Sequence, residues 1–466
     1  MKKLTNSTRI LLFGLMCSLY FFSYFHRIAV PGTIFNEIQE TFVLSASGVA
    51  SLGTICLYIY GFMQFFAGLL ADALGALKVL LVGAGLLTAG SFAFAGAPET
   101  GTLFASRALV GFGASLIYVC LFKALHELFS SRDFPAMLGV ALFLGYSGGL
   151  FGTLPLERMV SAIGWRAAFF WISAVASLFL VGATLTVRWK VGFQPEKSSS
   201  FSAERMWQVY TNRQSFPVII SAVINFSIYF LIQAMLGRKF LQDFSGFSSL
   251  AASSFTCGMI ALSMTASLLA GFGTRALNRR KPIMVAATVI SLAAVSLLLL
   301  GVAGRPLEKL FLLPYLLLGL SSGTSVVFST SVRELNPAEA VGTAVGFLNG
   351  ICYLSIAVLM NLSGWVLDLY VPRKAVTSGI IIYPAAAYRT IFLGCWVLAL
   401  VSLISSLRIK ETAEKTKPDQ SAPLPVAEKI RPPEEEKASS GSAVKKVRPM
   451  KREEKKEAQE EQLTLF

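Results

Sequence analysis

Two adjacent side chains that could act on a charged ligand, those of His26 and Arg27, lie inside an apolar segment from about residue 10 to residue 33. An arginine at the centre of a membrane helix costs about 2.5–3.5 kcal/mol on insertion scales, so it usually faces a cavity or a partner. Its guanidinium can bind an anion, and a histidine with an unperturbed pKa of about 6.5 can exchange a proton. The pair therefore indicates an anion site beside a proton carrier.

The two residues leave alternatives open. A proton on His26 beside the charge of Arg27 is disfavoured until an anion arrives, which would couple the binding of proton and anion; alternatively, His26 only packs between helices. Arg27 follows Arg9 by 18 residues, about 27 Å along a helix, so its side chain could instead extend to the membrane interface. Against that interpretation, Tyr20 and Tyr24 share its helical face. We predict that Tyr20, Tyr24 and Arg27 bind substrate.

Other polar residues occur within apolar segments of the chain. Arg107 lies about five residues into such a segment, and it either takes part in binding or coupling or pairs with backbone carbonyls. In the second half of the chain, polar residues recur at spacings of four and so share a helical face. These further candidates for substrate binding are Asn225, Tyr229 and Gln233 in one segment and Asn349 and Tyr353 in another.

The composition identifies the elements that must position these residues. The chain has 466 residues, of which 54% are hydrophobic and 14% are charged, whereas a soluble domain has about 25% charged residues. A helix crosses a bilayer with about 20 apolar residues, and only helices and closed barrels can span lipid. We expect twelve helices, because the apolar runs never alternate with polar residues. They lie near residues 10–33, 47–70, 78–97, 102–124, 136–157, 167–187, 215–237, 251–273, 282–302, 308–331, 342–366 and 388–407.

The net charge of +15 belongs to the membrane part, because residues 411–466 hold 12 basic and 12 acidic residues. Basic loops that orient a membrane protein explain such an excess without a nucleic-acid partner. Arg188, Lys190 and the cluster at residues 275–281 lie in even-numbered connections. This predicts cytoplasmic termini, although Arg238 and Lys239 would then lie in an outer loop. The predicted location is the lipid bilayer of a bacterial inner membrane.

Enzyme motifs are absent from the sequence. It contains no nucleotide-binding glycine loop, no HExxH, no GxSxG and no cysteine pair at metal-ligand spacing. The six cysteines occur singly in apolar stretches, as buried cysteines often do. We therefore expect no enzyme, no cofactor and no metal, and any uphill transport must use an ion gradient.

The chain repeats itself across a polar divide at residues 188–213. "GLLADALGALK" (68–78) follows the second apolar segment and "GFGTRALNRRK" (271–281) follows the eighth. A match at the same topological point in both halves indicates a duplicated six-helix unit. The predicted fold is all-α, with twelve transmembrane helices in two pseudo-symmetric bundles. Its parts are residues 1–187, the cytoplasmic linker 188–213, residues 214–410 and a disordered cytoplasmic tail, 411–466.

These features resemble the major facilitator superfamily over about residues 8–408. The resemblance rests on the loop at 68–78, "RALVGFG" (107–113), "GYSGGLFGTLP" (145–155), "GWRAAFF" (164–170) and "NPAEAVGTAVGFLN" (336–349). The loop departs from the family pattern, because alanine and leucine stand where basic residues are frequent. The resemblance implies a secondary transporter whose cytoplasmic contacts control gating. The candidate gating residues are Gly68, Asp72, Gly75, Lys78 and Arg333.

"SYFHRIAVPGTIF" (23–35) resembles the first span of the anion:cation symporter and organophosphate:phosphate antiporter branches. In those branches the arginine that matches Arg27 binds an anionic substrate. His26 stands where some relatives keep a proton-binding acid, Ala114 stands where they keep a second acid, and Gln233 lies in a span that carries a second arginine in the phosphate antiporters. A monoanion is therefore favoured over phosphate exchange.

We thus expect a secondary transporter that moves a small organic anion by alternating access, coupled to protons or another ion. Two alternatives remain open from the sequence. One is an efflux carrier for amphipathic or cationic compounds, which the lack of acidic residues within the spans disfavours. The other is a transporter-like sensor or scaffold that acts through its tail.

Overall fold

A computed structural model describes residues 5–129, 133–191, 203–277, 279–303, 311–337, 340–374 and 380–412. Most of the predicted tail, from residue 413, and residues 192–202 of the predicted linker lie outside the described residues. The helices that the described residues form, with their bounds, are as follows. They are α1 (Asn6–Gly32), α2 (Phe35–Phe42), α3 (Ala46–Leu74), α4 (Ala76–Ala95), α5 (Thr100–Leu128), α6 (Phe134–Phe151), α7 (Leu154–Ile163), α8 (Trp165–Thr186), α9 (Ala203–Tyr210), α10 (Phe216–Leu231), α11 (Gly237–Ser245), α12 (Ser249–Leu277), α13 (Lys281–Ala303), α14 (Leu312–Gly323), α15 (Ser325–Glu334), α16 (Val341–Asp368) and α17 (Ala385–Leu407).

Shorter elements complete the described chain. π-Helical turns at Val187–Val191 and Ile232–Leu236 continue α8 and α10. Between α16 and α17, strand β1 (Arg373–Lys374) pairs antiparallel with β2 (Ile381–Ile382). This two-residue ladder leaves the fold all-α, as the sequence predicts.

Twelve membrane spans account for most of the helices. Eleven stretches of the described chain are long and apolar enough to cross a bilayer, and α6 with α7 forms a twelfth span that bends by 40°. The helix α10, its π-turn and α11 make one continuous span, Phe216–Ser245, and α14 with α15 makes another. A helix satisfies most backbone groups of such a span by its own hydrogen bonds, as the apolar interior of a bilayer requires. The predicted twelve-helix fold is confirmed.

Two of the spans are interrupted near the same end of the molecule. In α1 the backbone leaves the helical region at Val30, and Pro31 follows; a proline has no N–H to continue the hydrogen-bond ladder. In the fifth span the break falls between Phe151 and Leu154. The hydroxyl of Thr33 donates to the carbonyl of Gly152 at 2.6 Å. The two interruptions are thereby joined to each other.

Close helix contacts depend on glycine, because packing rather than the hydrophobic effect drives helix association in lipid. Helices α4 and α5 meet at Gly83 and Gly113, where a Cβ on Gly113 would overlap the Gly83 carbonyl and the Leu87 amide. Between the two halves, α3 packs along α16. There, a Cβ on Gly364 would lie 2.7 Å from the Cβ of Ala50. Small residues thus set the spacing both within a half and between the halves.

Substituting Gly113→Ala should destabilise the protein, because the added methyl meets backbone atoms that cannot move aside. Overpacking of this kind costs about 1–3 kcal/mol. Gly85→Ala is the matched control: it lies on the same α4–α5 pair, nothing lies within 4 Å of its added Cβ, and alanine favours a helix over glycine by about 1 kcal/mol. Thermal unfolding in detergent should give a lower Tm for Gly113→Ala and an unchanged or higher Tm for Gly85→Ala. Equal values would contradict the packing argument.

Candidate functional site

A cavity of about 120 Å³ lies between the two halves of the bundle. The first half contributes aromatic residues and one cation, and the second half contributes mostly small or amide side chains. The lining residues are Tyr20, Tyr24, Arg27, Tyr60, Tyr118 and Tyr146 from the first half, and Ala222, Asn225, Phe226, Ser322, Ser325, Phe328, Ser329, Val345, Leu348, Asn349, Cys352 and Tyr353 from the second. The two halves therefore differ in the chemistry they offer to a ligand.

The cation of this cavity is Arg27, whose side chain is 2% exposed. Its Nη1 donates to the hydroxyl of Tyr353 at 2.6 Å, and its Nε donates to the Ser23 carbonyl of its own helix at 3.2 Å. The guanidinium carbon lies 4.5 Å from the ring centre of Tyr24 and 4.6 Å from that of Tyr60. Aromatic faces stabilise a desolvated cation by about 2 kcal/mol, but they do not neutralise its charge.

One hydrogen-bond donor of this guanidinium is left over. Nη2 of Arg27 is buried and has no hydrogen-bond partner among the described residues. Across the described part of the chain, no carboxylate lines the cavity and no ion pair involves Arg27. A buried cation that lacks an anionic partner, with a free N–H, is suited to bind an anion that enters the cavity.

Three uncharged groups of the second half face the same space. Asn225 accepts a hydrogen bond from Ser321 Oγ at 2.9 Å, which fixes the direction of its amide. Asn349 and Tyr353 project from one face of α16, four residues apart. The arrangement places hydrogen-bonding groups opposite the arginine, where they could contact the uncharged part of a ligand.

The structure brings most of the predicted substrate-binding residues into this cavity. Those that line it are Tyr20, Tyr24, Arg27, Asn225, Asn349 and Tyr353. Tyr229 and Gln233 are buried but do not line it. Gln233 belongs to the π-helical turn at Ile232–Leu236, and Tyr229 belongs to the regular helix before it.

His26 and Arg107 lie elsewhere in the first half. His26 is 1% exposed, its ring packs against Phe25 and Phe169, and it does not line the cavity. Arg107 is also 1% exposed and donates from Nη2 to the His26 carbonyl at 3.1 Å. Arg107 thus pairs with a backbone carbonyl, and its part in binding or coupling stays a prediction. The adjacent residues His26 and Arg27 point in different directions because successive helical residues are rotated by about 100°.

The predicted gating residues occupy the opposite end of the bundle from α2. Gly75 joins α3 to α4 with φ of +90°, a conformation that favours glycine. Lys78 and Arg333 are exposed near the starts and ends of their helices, and Gly68 lies within α3. The helix position of Asp72 is described but its side chain is not. Their role in gating stays a prediction.

A buried ion cluster joins the two halves at the end of the bundle that carries α2, which we call the closed end. Arg238 of α11 is 2% exposed and contacts two carboxylates of the first half. Its Nη2 lies 3.0 Å from Glu37 Oε1 and 2.9 Å from Glu157 Oε2, and its Nη1 donates to the Thr33 carbonyl. The distance to Glu157 is that of an ion pair, although the carboxylate oxygen lacks hydrogen-bond geometry.

Further polar contacts hold the same end together. Lys239 Nζ pairs with Asp243 at 2.6 Å, and Asp243 accepts hydrogen bonds from Tyr388 and from the Tyr383 amide. Gln39 of the first half donates to the Tyr383 hydroxyl at 2.9 Å. Burial raises the pKa of Tyr383 to about 12, so this hydroxyl stays neutral at physiological pH. Asp368 also accepts from the amides at the start of α3.

Sequence reasoning placed Arg238 and Lys239 in an outer loop, and this was wrong. Both are buried in α11, which extends the seventh span. The spacing of Lys239 and Asp243 at i, i+4 was the available signal for a helix with an internal ion pair. Tyr60, Tyr118 and Tyr146 were also missed as cavity residues, because a tyrosine in an apolar run carries no sign of the direction it faces.

Residues 16–360 match the family described as the Major Facilitator Superfamily. The chain belongs to that superfamily. The family match and the twelve spans make it a multi-pass membrane protein. The sequence resemblance is thus confirmed at the level of the family.

Two curated relatives resemble this superfamily member at low identity. One is the "Probable sulfoacetate transporter SauU" of Cupriavidus necator, 25% identical over 202 residues, which are 43% of this chain and 46% of the relative. The other is the "Magnetosome protein MamZ" of Magnetospirillum gryphiswaldense, 23% identical over 330 residues, which are 66% of this chain and 50% of the relative. The chain spans about half the length of these relatives.

Solved structures of transporters share the fold. The nucleoside transporter NupG matches with a TM-score of 0.69 and 13% identity over 86% of this chain and 99% of that one. A bacterial homologue of the lysosomal transporter Spinster matches with a TM-score of 0.69 and 15% identity, over 86% of this chain and 97% of that one. A peptide transporter, POT, matches with a TM-score of 0.67 and 15% identity, over 86% of this chain and 94% of that one. At these identities the likeness shows the fold alone.

Replacing Arg238→Met should loosen the closed end of this transporter, because it leaves Glu37 and Glu157 unpaired across the interface. Removing one partner of a buried ion pair costs about 3–5 kcal/mol. The reporter is Ala50→Cys, buried against α16, in a background without native cysteines. Its labelling by a bulky hydrophilic thiol reagent should accelerate about tenfold or more. The control is Arg158→Met, which removes an exposed arginine beside Glu157; equal labelling rates in both variants would contradict a closing role for the cluster.

Proposed function

We propose that this chain is a secondary transporter that carries a small organic anion by alternating access, with Arg27 as the group that binds the anionic end. The observation that carries the proposal is the guanidinium in the central cavity, which has a free N–H and no carboxylate partner among the described residues. A buried, uncompensated cation is unfavourable on its own. An anionic substrate that reaches the cavity supplies the missing partner.

The chemistry of the second half supports a substrate with an uncharged polar part. Asn225 and Asn349 lie opposite Arg27. The hydroxyls of three serines line the same side, those of Ser322, Ser325 and Ser329. One cation without a carboxylate favours a net negative ligand, and it disfavours a cationic or zwitterionic ligand whose ammonium would find no partner. The relative named as a probable sulfoacetate transporter agrees in chemical class, since sulfoacetate is a small organic anion.

The placement of the cavity supports an assignment of the side of the membrane to which this conformation opens. If both termini lie in the cytoplasm, as the loop charges predict, the closed end faces away from it and the cavity extends from Arg27 towards it. Val345 and Ser329, which line the cavity, belong to the parts of α16 and α15 near that cytoplasmic side. We infer an inward-facing state in a bacterial inner membrane. The halves 1–187 and 214–410 would move about the linker 188–213, with Asp72 and Arg333 at the gate that closes.

Arg27→Gln should abolish anion binding while keeping the shape of the side chain close to the original. A panel of organic acids, sugar acids, amino acids and phosphate esters is screened by thermal shift of the purified protein. A ligand at 100 times its Kd stabilises the folded state by about 2.7 kcal/mol, and Arg27→Gln should lose that shift.

Arg389→Gln is the control for the anion screen, because it removes an exposed arginine at the start of α17. It should keep the ligand-induced shift. Stabilisation by cations alone, or anion stabilisation that survives in Arg27→Gln, would refute the anion site.

Coupling to protons through His26 is a separate part of the proposal. His26 directly precedes Arg27 in the sequence, and its side chain is buried. Its Nδ1 has no hydrogen-bond partner among the described residues. In proteoliposomes with a pH-sensitive dye inside, uptake of an anion identified in the screen should move protons. His26→Gln should abolish that proton movement.

His126→Gln provides the control for coupling, since His126 is the other histidine of the chain and is exposed at the end of α5. It should transport protons as the wild type does. If His26→Gln kept both the pH dependence of uptake and the proton movement, another ion or another residue would carry the coupling.

A further inference from the structure

Two tyrosines of the cavity wall pack directly on the bare backbone of the fifth span. Tyr20 and Tyr24 lie four residues apart on α1, and Gly145 and Gly149 lie four residues apart on α6. A Cβ built on Gly145 would overlap Cδ1 and Cε1 of the Tyr20 ring. A Cβ on Gly149 would lie 2.8 Å from Cδ1 and 2.9 Å from Cε1 of Tyr24. Each ring therefore occupies space that a side chain on α6 would take.

The neighbours of these two rings leave the cavity as the free direction. The ring centre of Tyr20 lies 5.5 Å from that of Tyr118, and the side chain is 3% exposed. The ring centre of Tyr24 lies 4.8 Å from that of Tyr146, and the guanidinium carbon of Arg27 lies 4.5 Å from it. All of these residues line the central cavity. Because the interior of a protein is otherwise close-packed, a ring that α6 displaced would move into the cavity.

The contact between α1 and α6 belongs to the first half alone. A Cβ on Gly148, which lies between the two tyrosine contacts, would overlap the carbonyl of Phe21. The two backbones thus touch directly at this point, and backbones in such close contact cannot shift independently. The tyrosine rings therefore keep their position as long as the first half moves as one body.

We propose that Gly145 and Gly149 are specificity-determining residues: by allowing both tyrosine rings to lie against α6, they set the size of the largest ligand that the cavity admits. The cavity has a volume of about 120 Å³, so a ring that moved inward would fill part of it. A side chain at either glycine position narrows the cavity and selects for smaller anions. The consequence for anions rests on the proposed function, whereas the width of the cavity does not.

The test measures the width of the cavity without a ligand. Cys352 lines the cavity, and it becomes the reporter when the other five cysteines are replaced by alanine. The full chain in detergent is labelled with N-methylmaleimide and with the larger N-cyclohexylmaleimide, and the ratio of the two rates is recorded. Both reagents are neutral, so the charge of Arg27 does not bias the comparison. Gly145→Ala should slow the larger reagent about tenfold relative to the smaller one, because a close-packed wall can yield only into the cavity.

Gly139→Ala is the matched control, because Gly139 lies on the same helix and nothing lies within 4 Å of its added Cβ. It should leave the ratio of the rates unchanged. A double variant identifies the ring as the cause: in a Tyr20→Ala background, Gly145→Ala should change the ratio no further. A wild-type ratio in Gly145→Ala, or the same slowing by Gly145→Ala when the Tyr20 ring is absent, would overturn the proposal.

If Gly145→Ala does not fold, Gly149→Ala decides, because its added methyl lies less close to a ring. A slower relative rate of the larger maleimide supports the proposal, and a wild-type ratio refutes it.

The anion screen tests the consequence for selectivity. Among the anions that stabilise the wild type, the largest should lose their thermal shift in Gly145→Ala and the smallest should keep it. If no anion binds the wild type, the anion site fails, while the labelling ratio still decides the width of the cavity. A failure of the anion site and a failure of the glycine contacts can thus be told apart.

Discussion

The central constraint on this protein is a positive charge in the interior of a membrane-spanning bundle that no acid among the described residues neutralises. Arg27 is surrounded by the rings of Tyr24, Tyr60 and Tyr353. Aromatic faces and one hydroxyl lower the cost of burying the guanidinium, yet its charge and one N–H remain unmatched among the described residues. The surrounding helices must therefore hold the residue in an unfavourable environment, and the anionic substrate that we propose would supply its missing partner.

The closed end also contains a buried arginine, but there carboxylates of the protein pair with it. Arg238 is equally buried, but Glu37 and Glu157 lie within ion-pair distance of it. These two carboxylates neutralise the charge of Arg238, so it can join the two halves without a ligand. Of these two buried arginines, Arg238 is paired with carboxylates, and Arg27 keeps an N–H without a partner among the described residues.

Helix α1 connects these two regions. It carries Arg27 on one side of its last regular turn, it receives Arg107 on another side, and beyond Pro31 the Thr33 carbonyl accepts from Arg238. Backbone hydrogen bonds continue across the interruption, where the Thr33 amide donates to the Ala29 carbonyl. Three arginines nevertheless surround this segment, and each donates to one of its carbonyls.

The sequence by itself determined the parts of this protein that depend on one-dimensional patterns. Apolar runs of span length must become helices in lipid, so the twelve spans and the two-half architecture follow from composition and the repeat at 68–78 and 271–281. The i, i+4, i+7 stripe of Tyr20, Tyr24 and Arg27 likewise follows from helical geometry.

Only the tertiary structure decided what depends on contacts between helices. It separated His26 from the cavity, added Tyr60, Tyr118 and Tyr146 to it, and moved Arg238 from a supposed loop into a buried cluster. It also placed Tyr229 and Gln233 outside the cavity lining, although both share the predicted face with Asn225. The physical reason is general: a side chain's partner across a bundle lies far away in sequence, 81 residues for Arg107 with His26 and 326 for Arg27 with Tyr353, and local spacing does not encode that contact.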